Sequence, residues 1–294
     1  MSKQLILAVP FAFLFGGAVA VAGHVKRWLH PFAVIVAALT FTTIMLGAWV
    51  TSARAAPPIS PFIEQVHSWV GRIAAVLIVV LAVWLVAAQR RGLGLALLAA
   101  ALGETALGEF LAPITHAILA QVLFAVTAIA ALCTSHGWQL GPEVVMDQGW
   151  PSLRSMAAVM PAFVLAQVML GVAFRHKAMG LTWHIVGAML VVLLVLLFGM
   201  CTMQPYPKHR ALRSSAIALL SVALAQVLLG IAAITTETLA PENTAPPSVI
   251  ISTIGHVALG AATLAASLVL AIQIRRNVQR PSQETEENEP AASA

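Results

Sequence analysis

An acid and an imidazole stand three residues apart in the stretch PFIEQVHSWVGRIAAV, residues 61–76, and a long apolar run follows them. At that spacing Glu64 and His67 share one face of a helix. A carboxylate can transfer protons, and an imidazole can do the same or bind a metal ion. Ionisable groups inside a membrane segment tend to mark a functional site. The alternative is that Glu64 only interacts with the dipole at the start of its helix.

Three further histidines occupy the same relative position, each near the start of an alternate apolar segment. The four are His67, His116, His184 and His256, and each is followed at three or four positions by a small residue, namely Gly71, Ala120, Gly187 and Gly260. Any single imidazole could lie at the membrane interface at little cost. Four in matching positions indicate a shared function. The other five histidines, His24, His30, His136, His176 and His209, lie in predicted loops and receive no ligand role.

The composition predicts a membrane protein. Of 294 residues, 60% are hydrophobic and only 9% are charged, and the mean hydropathy is +0.92. A soluble domain carries about 25% charged residues, so an all-α protein that crosses a membrane several times is expected. The net charge of +5 is then a topology signal and not a nucleic-acid surface. Cys133 and Cys201 have no paired spacing, which predicts neither a disulfide framework nor a zinc site.

Nine apolar segments reach the length of about 20 residues that crosses a bilayer. They are 4–23, 32–52, 63–88, 93–112, 114–134, 156–174, 181–201, 211–236 and 249–274. The first is either an extra span or a signal peptide. We favour the span, because cleavage would leave Lys26 and Arg27 on the outer side. Basic residues in alternate loops predict a multi-pass protein of a bacterial inner (plasma) membrane with a cytoplasmic C-terminus. In this topology the four histidines lie near the outer surface.

An internal repeat divides the chain. A Leu-Gly step recurs near the outer ends of alternate segments, at Leu46-Gly47, Leu107-Gly108, Leu170-Gly171 and Leu229-Gly230. Glycine at such a place allows another helix or a flat ligand to approach closely. We predict two pseudo-symmetric four-helix transmembrane bundles, at 32–134 and 156–274. A leader or extra transmembrane helix at 1–31 precedes them, a cytoplasmic linker at 135–155 joins them, and a disordered cytoplasmic tail at 275–294 follows.

A pair of histidines in each half suits haem iron better than zinc. Zinc normally takes three or four protein ligands. Haem takes axial ligands from both faces of a flat, apolar ring, and helices of a bundle can bracket that ring. The haem propionates would need cationic partners. Candidates lie in the outer loops. In the first half, Arg54 follows the first helix. In the second half, Arg175, His176 and Lys177 follow the first helix. Contact with lipid phosphate is the alternative for these cations.

As an ordered set, these residues resemble the haem A synthase family over all segments after the leader. The marks are Glu64-Gln65-Val66-His67, the three further histidines, the repeated AQVMLG and AQVLLG steps, and Arg175-His176-Lys177. The resemblance implies an eight-helix, haem-dependent oxidoreductase that converts the methyl group of haem O to the formyl group of haem A for terminal oxidase biogenesis. It implies haem B on His184 and His256, haem O or haem A on His67 and His116, and a catalytic role for Glu64. The implied partners are membrane lipid, a farnesyltransferase that supplies haem O, oxidase assembly proteins, and quinol or another membrane electron donor.

Two features depart from the family pattern. Many members carry paired cysteines in the loop after the first helix, whereas TSARAAPPIS has none. Ser68 stands where an arginine commonly follows the first histidine. These differences leave two other interpretations open: a two-haem membrane cytochrome that carries electrons, and a non-catalytic haem-binding protein of oxidase assembly.

Only the first half has an acid three residues before its first histidine, since Leu181 and Thr253 precede the histidines of the second half. We expect Glu64→Gln to keep bound haem but to lose conversion of haem O, because the amide keeps the size of the side chain but cannot transfer protons. Mass spectrometry of extracted haems, from cells that supply haem O, measures both quantities. Full conversion in this variant would remove Glu64 from the mechanism.

Overall fold

The computed structural model describes residues 22–53, 61–110, 113–147, 149–242 and 244–280. The long helices are α1 (Ala22–Ala53), α2 (Pro61–Ala87), α3 (Arg91–Phe110), α4 (Pro113–Thr134), α6 (Leu153–Arg175), α7 (Leu181–Met203), α8 (Arg210–Leu239) and α9 (Pro247–Asn277). A short helix α5 (His136–Gln139) lies between α4 and α6. Two-residue strands, β1 (Val145–Met146) and β2 (Val278–Gln279), pair in parallel.

Seven of the described helices are long and apolar enough to cross a membrane: α1, α2, α4, α6, α7, α8 and α9. Their outward faces are also apolar, and Val76, Leu193 and Ile231 are each at least 60% exposed. A soluble protein rarely presents so many large apolar side chains to water, whereas lipid accommodates them. The prediction of an all-α, multi-pass membrane protein is confirmed at this level.

Consecutive helices pack side by side. In the first half α1 contacts α2 and α4, and α3 lies against α2 and α4. The second half repeats these neighbours, because α6 contacts α7 and α9, and α8 lies against α7 and α9. Helix α9 also packs against α1 and α4 and thereby joins the two halves. Each half has a buried apolar cluster, represented by Ile78, Leu81 and Leu85 in the first and by Phe198 and Leu212 in the second.

Helix α1 begins at Ala22 and not at residue 32. Pro31 lies inside it, where it removes one backbone hydrogen bond without ending the helix. Residues 1–21 of the predicted leader lie outside the described residues. At the other terminus, residues 275–277 of the predicted tail complete α9 and residues 278–279 form β2, while 281–294 lie outside the described residues.

The segment at 135–155 is held to the helix ends by polar side chains, and we call this side of the bundle the linker end. The His209 imidazole contacts the Glu143 carbonyl oxygen at 2.8 Å, and the Arg276 guanidinium lies 3.8 Å from the centre of the Trp138 ring. Buried Asp147 accepts a hydrogen bond from the Ser152 hydroxyl at 2.7 Å. It also accepts from the backbone N–H groups of Leu153 and Arg154 at the start of α6. The carboxylate therefore satisfies donors that a helix start leaves unpaired.

We expect Asp147→Ala to lower the thermal stability of the detergent-solubilised protein, because it leaves these N–H donors without their acceptor. Loss of such a cap costs about 0.5–2 kcal/mol, which corresponds to a fall in Tm of a few degrees. The matched control is Glu242→Ala, which removes an exposed carboxylate and should leave Tm unchanged. Equal Tm values for the two variants would contradict the role given to Asp147.

Candidate functional site

The four predicted histidine ligands lie at the end of the bundle opposite the linker, which we call the histidine end, and they form two pairs. The rings of His67 and His116 have centroids 6.5 Å apart and planes at 83°. The rings of His184 and His256 have centroids 6.0 Å apart and planes at 88°. All four side chains are partly buried. Each half thus contributes one crossed imidazole pair, from α2 and α4 or from α7 and α9.

The spacing of both pairs fits a single metal ion between two imidazoles. A metal–imidazole bond is about 2.0–2.1 Å long, so two opposed bonds separate the ring centroids by roughly 6 Å. No cluster of three or more His, Cys, Asp or Glu side chains able to hold a metal ion is found among the described residues. Each pair thus offers two imidazole rings at a separation that is compatible with two axial ligands of one metal ion.

Glycines of the Leu-Gly steps lie against these rings. A Cβ atom added at Gly47, Gly171 or Gly230 would lie 3.1, 2.9 or 2.8 Å from Cε1 of His67, His184 or His256, respectively. Only glycine lets the backbone of one helix come this close to a ring on the next helix. The sequence left open whether these glycines accommodate a helix or a flat ligand. At these three positions they accommodate the imidazole of the following helix.

Hydrogen bonds orient three of the rings through Nδ1. The Nδ1 of His256 donates to the Gln226 carbonyl oxygen at 3.1 Å. The Nδ1 of His184 lies 3.0 Å from the amide nitrogen of Gln167, which also donates to the His184 carbonyl oxygen. The Nδ1 of His116 lies 2.9 Å from Glu104 Oε1. In each case Nδ1 faces the preceding helix. His256 and His116 place Nδ1 against an oxygen atom, so in their neutral rings Nδ1 carries the proton and Nε2 has the lone pair that a ligand needs.

Glu104, on α3, is a site residue that the sequence reasoning missed. Its side chain is only 20% exposed and is in contact with His116. It lies twelve residues before His116, far from the three-residue spacing that drew attention to Glu64. Two signals could have found it: it is an acid in an apolar segment, and it precedes Gly108 by four residues, as Gln167 precedes Gly171.

Glu64 lies in the first turn of α2, is partly buried and precedes His67 by about one helical turn. An apolar cleft of about 260 Å³ opens nearby, lined by Leu46, Trp49, Phe62, Ile63 and Val66. Trp69 and Trp183 are 55% and 64% exposed, so both indoles lie mainly on the outside of the bundle. The first pair thus has both an acid and an apolar surface beside it.

Two of the three predicted propionate partners can be located. Arg175 ends α6 and donates to the Ala48 carbonyl oxygen and the Ser52 hydroxyl on α1, at 2.7 and 2.8 Å, so it links the two halves at the histidine end. Lys177 is exposed, with φ of 58° in the turn after α6. Partial burial and the Arg175 charge lower the pKa of His176. Arg54 lies outside the described residues.

Known proteins give no direct guide to the activity of this chain. Comparison with models of known protein families finds no family that matches it, and comparison with curated proteins finds no significant relative. A proposed function therefore depends on the residues themselves and on the geometry of the two histidine pairs.

We expect Gly171→Ala to displace the His184 ring, because the new methyl group would lie 2.9 Å from its Cε1 atom. If the second pair binds haem iron, as the sequence predicts, the variant should lose haem or change from low-spin to high-spin iron. The measurement is the absorption spectrum of the purified protein together with its haem content. The control is Gly103→Ala on α3, where nothing lies within 4 Å of the new methyl group, and an equal spectrum in both variants would contradict the fit.

Proposed function

We propose that the protein is a haem-dependent membrane oxidoreductase of the haem A synthase type, which converts the methyl group of haem O to the formyl group of haem A. The observation that carries this proposal is the pair of crossed imidazole contacts, with centroids 6.5 and 6.0 Å apart. They lie at corresponding places in two halves that we propose to be pseudo-symmetric four-helix bundles. Such contacts suit bis-histidine binding of two flat, apolar rings.

Each half would hold one haem. In this proposal His184 and His256 bind haem B, and His67 and His116 bind the haem O substrate and haem A product. A bound haem supplies iron that changes oxidation state and can activate oxygen. Arg175 and Lys177, with Arg54, would pair with propionates at the histidine end. The apolar cleft beside Val66 would accept hydrocarbon of the substrate.

The two halves differ in their acids, and this difference suggests which half performs the oxidation. The first pair has Glu64 one helical turn away and Glu104 within 2.9 Å of His116. The second pair has the Gln167 amide and the Gln226 carbonyl instead. Hydroxylation of a methyl group by oxygen and two donor electrons takes up two protons as water forms, and a partly buried carboxylate can relay them. Glu64 is therefore assigned the proton-handling role in the first half.

The second half would then deliver electrons. Helices α4 and α9, which carry His116 and His256, pack directly against each other. A Cβ atom added at Gly260 of α9 would lie 4.0 Å from Gln121 Oε1 of α4. One ligand helix of each pair thus borders the other half, which gives electrons a short path between the two sites. The external donor would be quinol or another membrane partner.

A second candidate is a two-haem membrane cytochrome that transfers electrons without a substrate. The loop TSARAAPPIS without cysteines and Ser68 beside His67 favour it, because both depart from the pattern of the enzyme family. A non-catalytic role in oxidase assembly would rest on the same two features. Identification of the haems that the protein carries distinguishes these candidates.

The deciding measurement is mass spectrometry of haems extracted from the protein, purified from cells that supply haem O. We expect haem B together with haem A or a hydroxylated haem O, because only a synthase makes either product. His184→Ala should lose haem B through removal of one axial ligand, while Trp183→Ala, a change to an exposed neighbour, should keep it. Haem B alone would favour the cytochrome or assembly role. Absence of haem, or unchanged haem in His184→Ala, would overturn the proposal.

A further inference from the structure

One helical turn before each Leu-Gly glycine, the chain carries a polar residue. These residues are Thr43, Glu104, Gln167 and Gln226, four positions before Gly47, Gly108, Gly171 and Gly230, respectively. Residues four apart share one face of a helix. Since three of these glycines lie against a histidine ring, this preceding position also faces the histidine helix. Glu104 is the one acid in the set.

The contacts at this position differ in what they can do for the imidazole. Glu104 Oε1 lies 2.9 Å from His116 Nδ1. An ionised carboxylate only accepts hydrogen bonds, so Nδ1 donates in this contact, and in the neutral ring Nε2 then keeps its lone pair. At the corresponding place in the second half, the Gln226 backbone carbonyl oxygen accepts from His256 Nδ1 at 3.1 Å. On α6 the Gln167 amide nitrogen, which can only donate, lies 3.0 Å from His184 Nδ1. Of these contacts, only the one from Glu104 brings a carboxylate to an imidazole.

On the basis of the proposed function, we infer that Glu104 is a positioning residue that acts through His116. Its carboxylate holds the ring with Nε2 directed to the iron and makes that imidazole a stronger electron donor. A stronger donor stabilises the more oxidised iron, since axial ligands and the hydrogen bonds to them set the reduction potential. The haem of the first half is thereby held at a lower reduction potential than its His116–His67 ligands alone would give.

Redox titration of the full-length, haem-loaded protein tests this inference. Glu104→Gln keeps size but replaces the carboxylate by the amide found at Gln167. We expect it to raise the midpoint potential of the first-half haem by about 59 mV. For a one-electron couple, that shift is a tenfold change in the oxidised-to-reduced ratio at a fixed potential. The matched control is Thr105→Ala, whose hydroxyl donates to the Ala101 carbonyl of its own helix, and it should leave both potentials unchanged.

The reciprocal variant Gln167→Glu places a carboxylate beside His184 and should lower the midpoint potential of the second-half haem. Variant His184→Ala, which removes one second-half ligand, assigns each transition to its half. Suppose that Glu104→Gln and Gln167→Glu both bind two haems and that neither variant shifts a midpoint potential. That result would overturn the inference and leave the proposed function intact. Absence of haem from the unmodified protein would instead overturn the proposed function. Should Glu104→Gln fail to accumulate, an unmoved potential in Gln167→Glu is by itself sufficient to reject the inference.

Discussion

An imidazole inside an apolar bundle needs both space and a polar partner, and the histidine end of this protein is organised by that constraint. A buried polar group without a hydrogen bond costs free energy. Glycine on the preceding helix provides the space, as Gly230 does for His256. A carbonyl, amide or carboxylate one turn earlier on that same helix provides the partner. Because both come from one helix, the ring is fixed only where that helix and its successor pack closely, and this packing sets the separation within each pair.

The two ends of the bundle have different physical tasks. At the linker end, Asp147 satisfies the start of α6, and Arg276 and His209 hold the connecting segment. The largest fully buried side chains, such as Phe198 and Leu85, add apolar packing. The histidine end carries partly buried side chains instead. Precise placement of a site requires rigid support around it, and here that support lies along the same helices, one or more turns from the histidines.

The sequence predicted the elements better than their contacts. Apolar runs located the spans, because bilayer thickness fixes the length of a span, and a histidine near the start of alternate runs indicated the candidate ligands. The partner of each histidine was not predictable in this way. Helices that are apolar all round have no stripe to show which face turns inward, so nothing in the periodicity placed Gly171 against His184. Some contacts of 135–147 join residues more than a hundred positions apart, as in Glu143 with Asn277, and local patterns do not record them.

Glu104 shows what alignment of the repeat adds. Alone, it is one acid in a helix. Aligned with Gln226 of the second half through the glycines that follow, it is a substitution at a position that faces a histidine. If the halves are copies of one plan, the ligands are the same in both, and a difference in chemistry must come from their neighbours. Glu64 and Glu104 give the first half carboxylates that the second half lacks at the matching positions, while both halves keep their two histidines. Such neighbours tune a metal site through the basicity of its ligands. Under the proposed function, they would let one scaffold hold one haem that carries electrons and another that is oxidised.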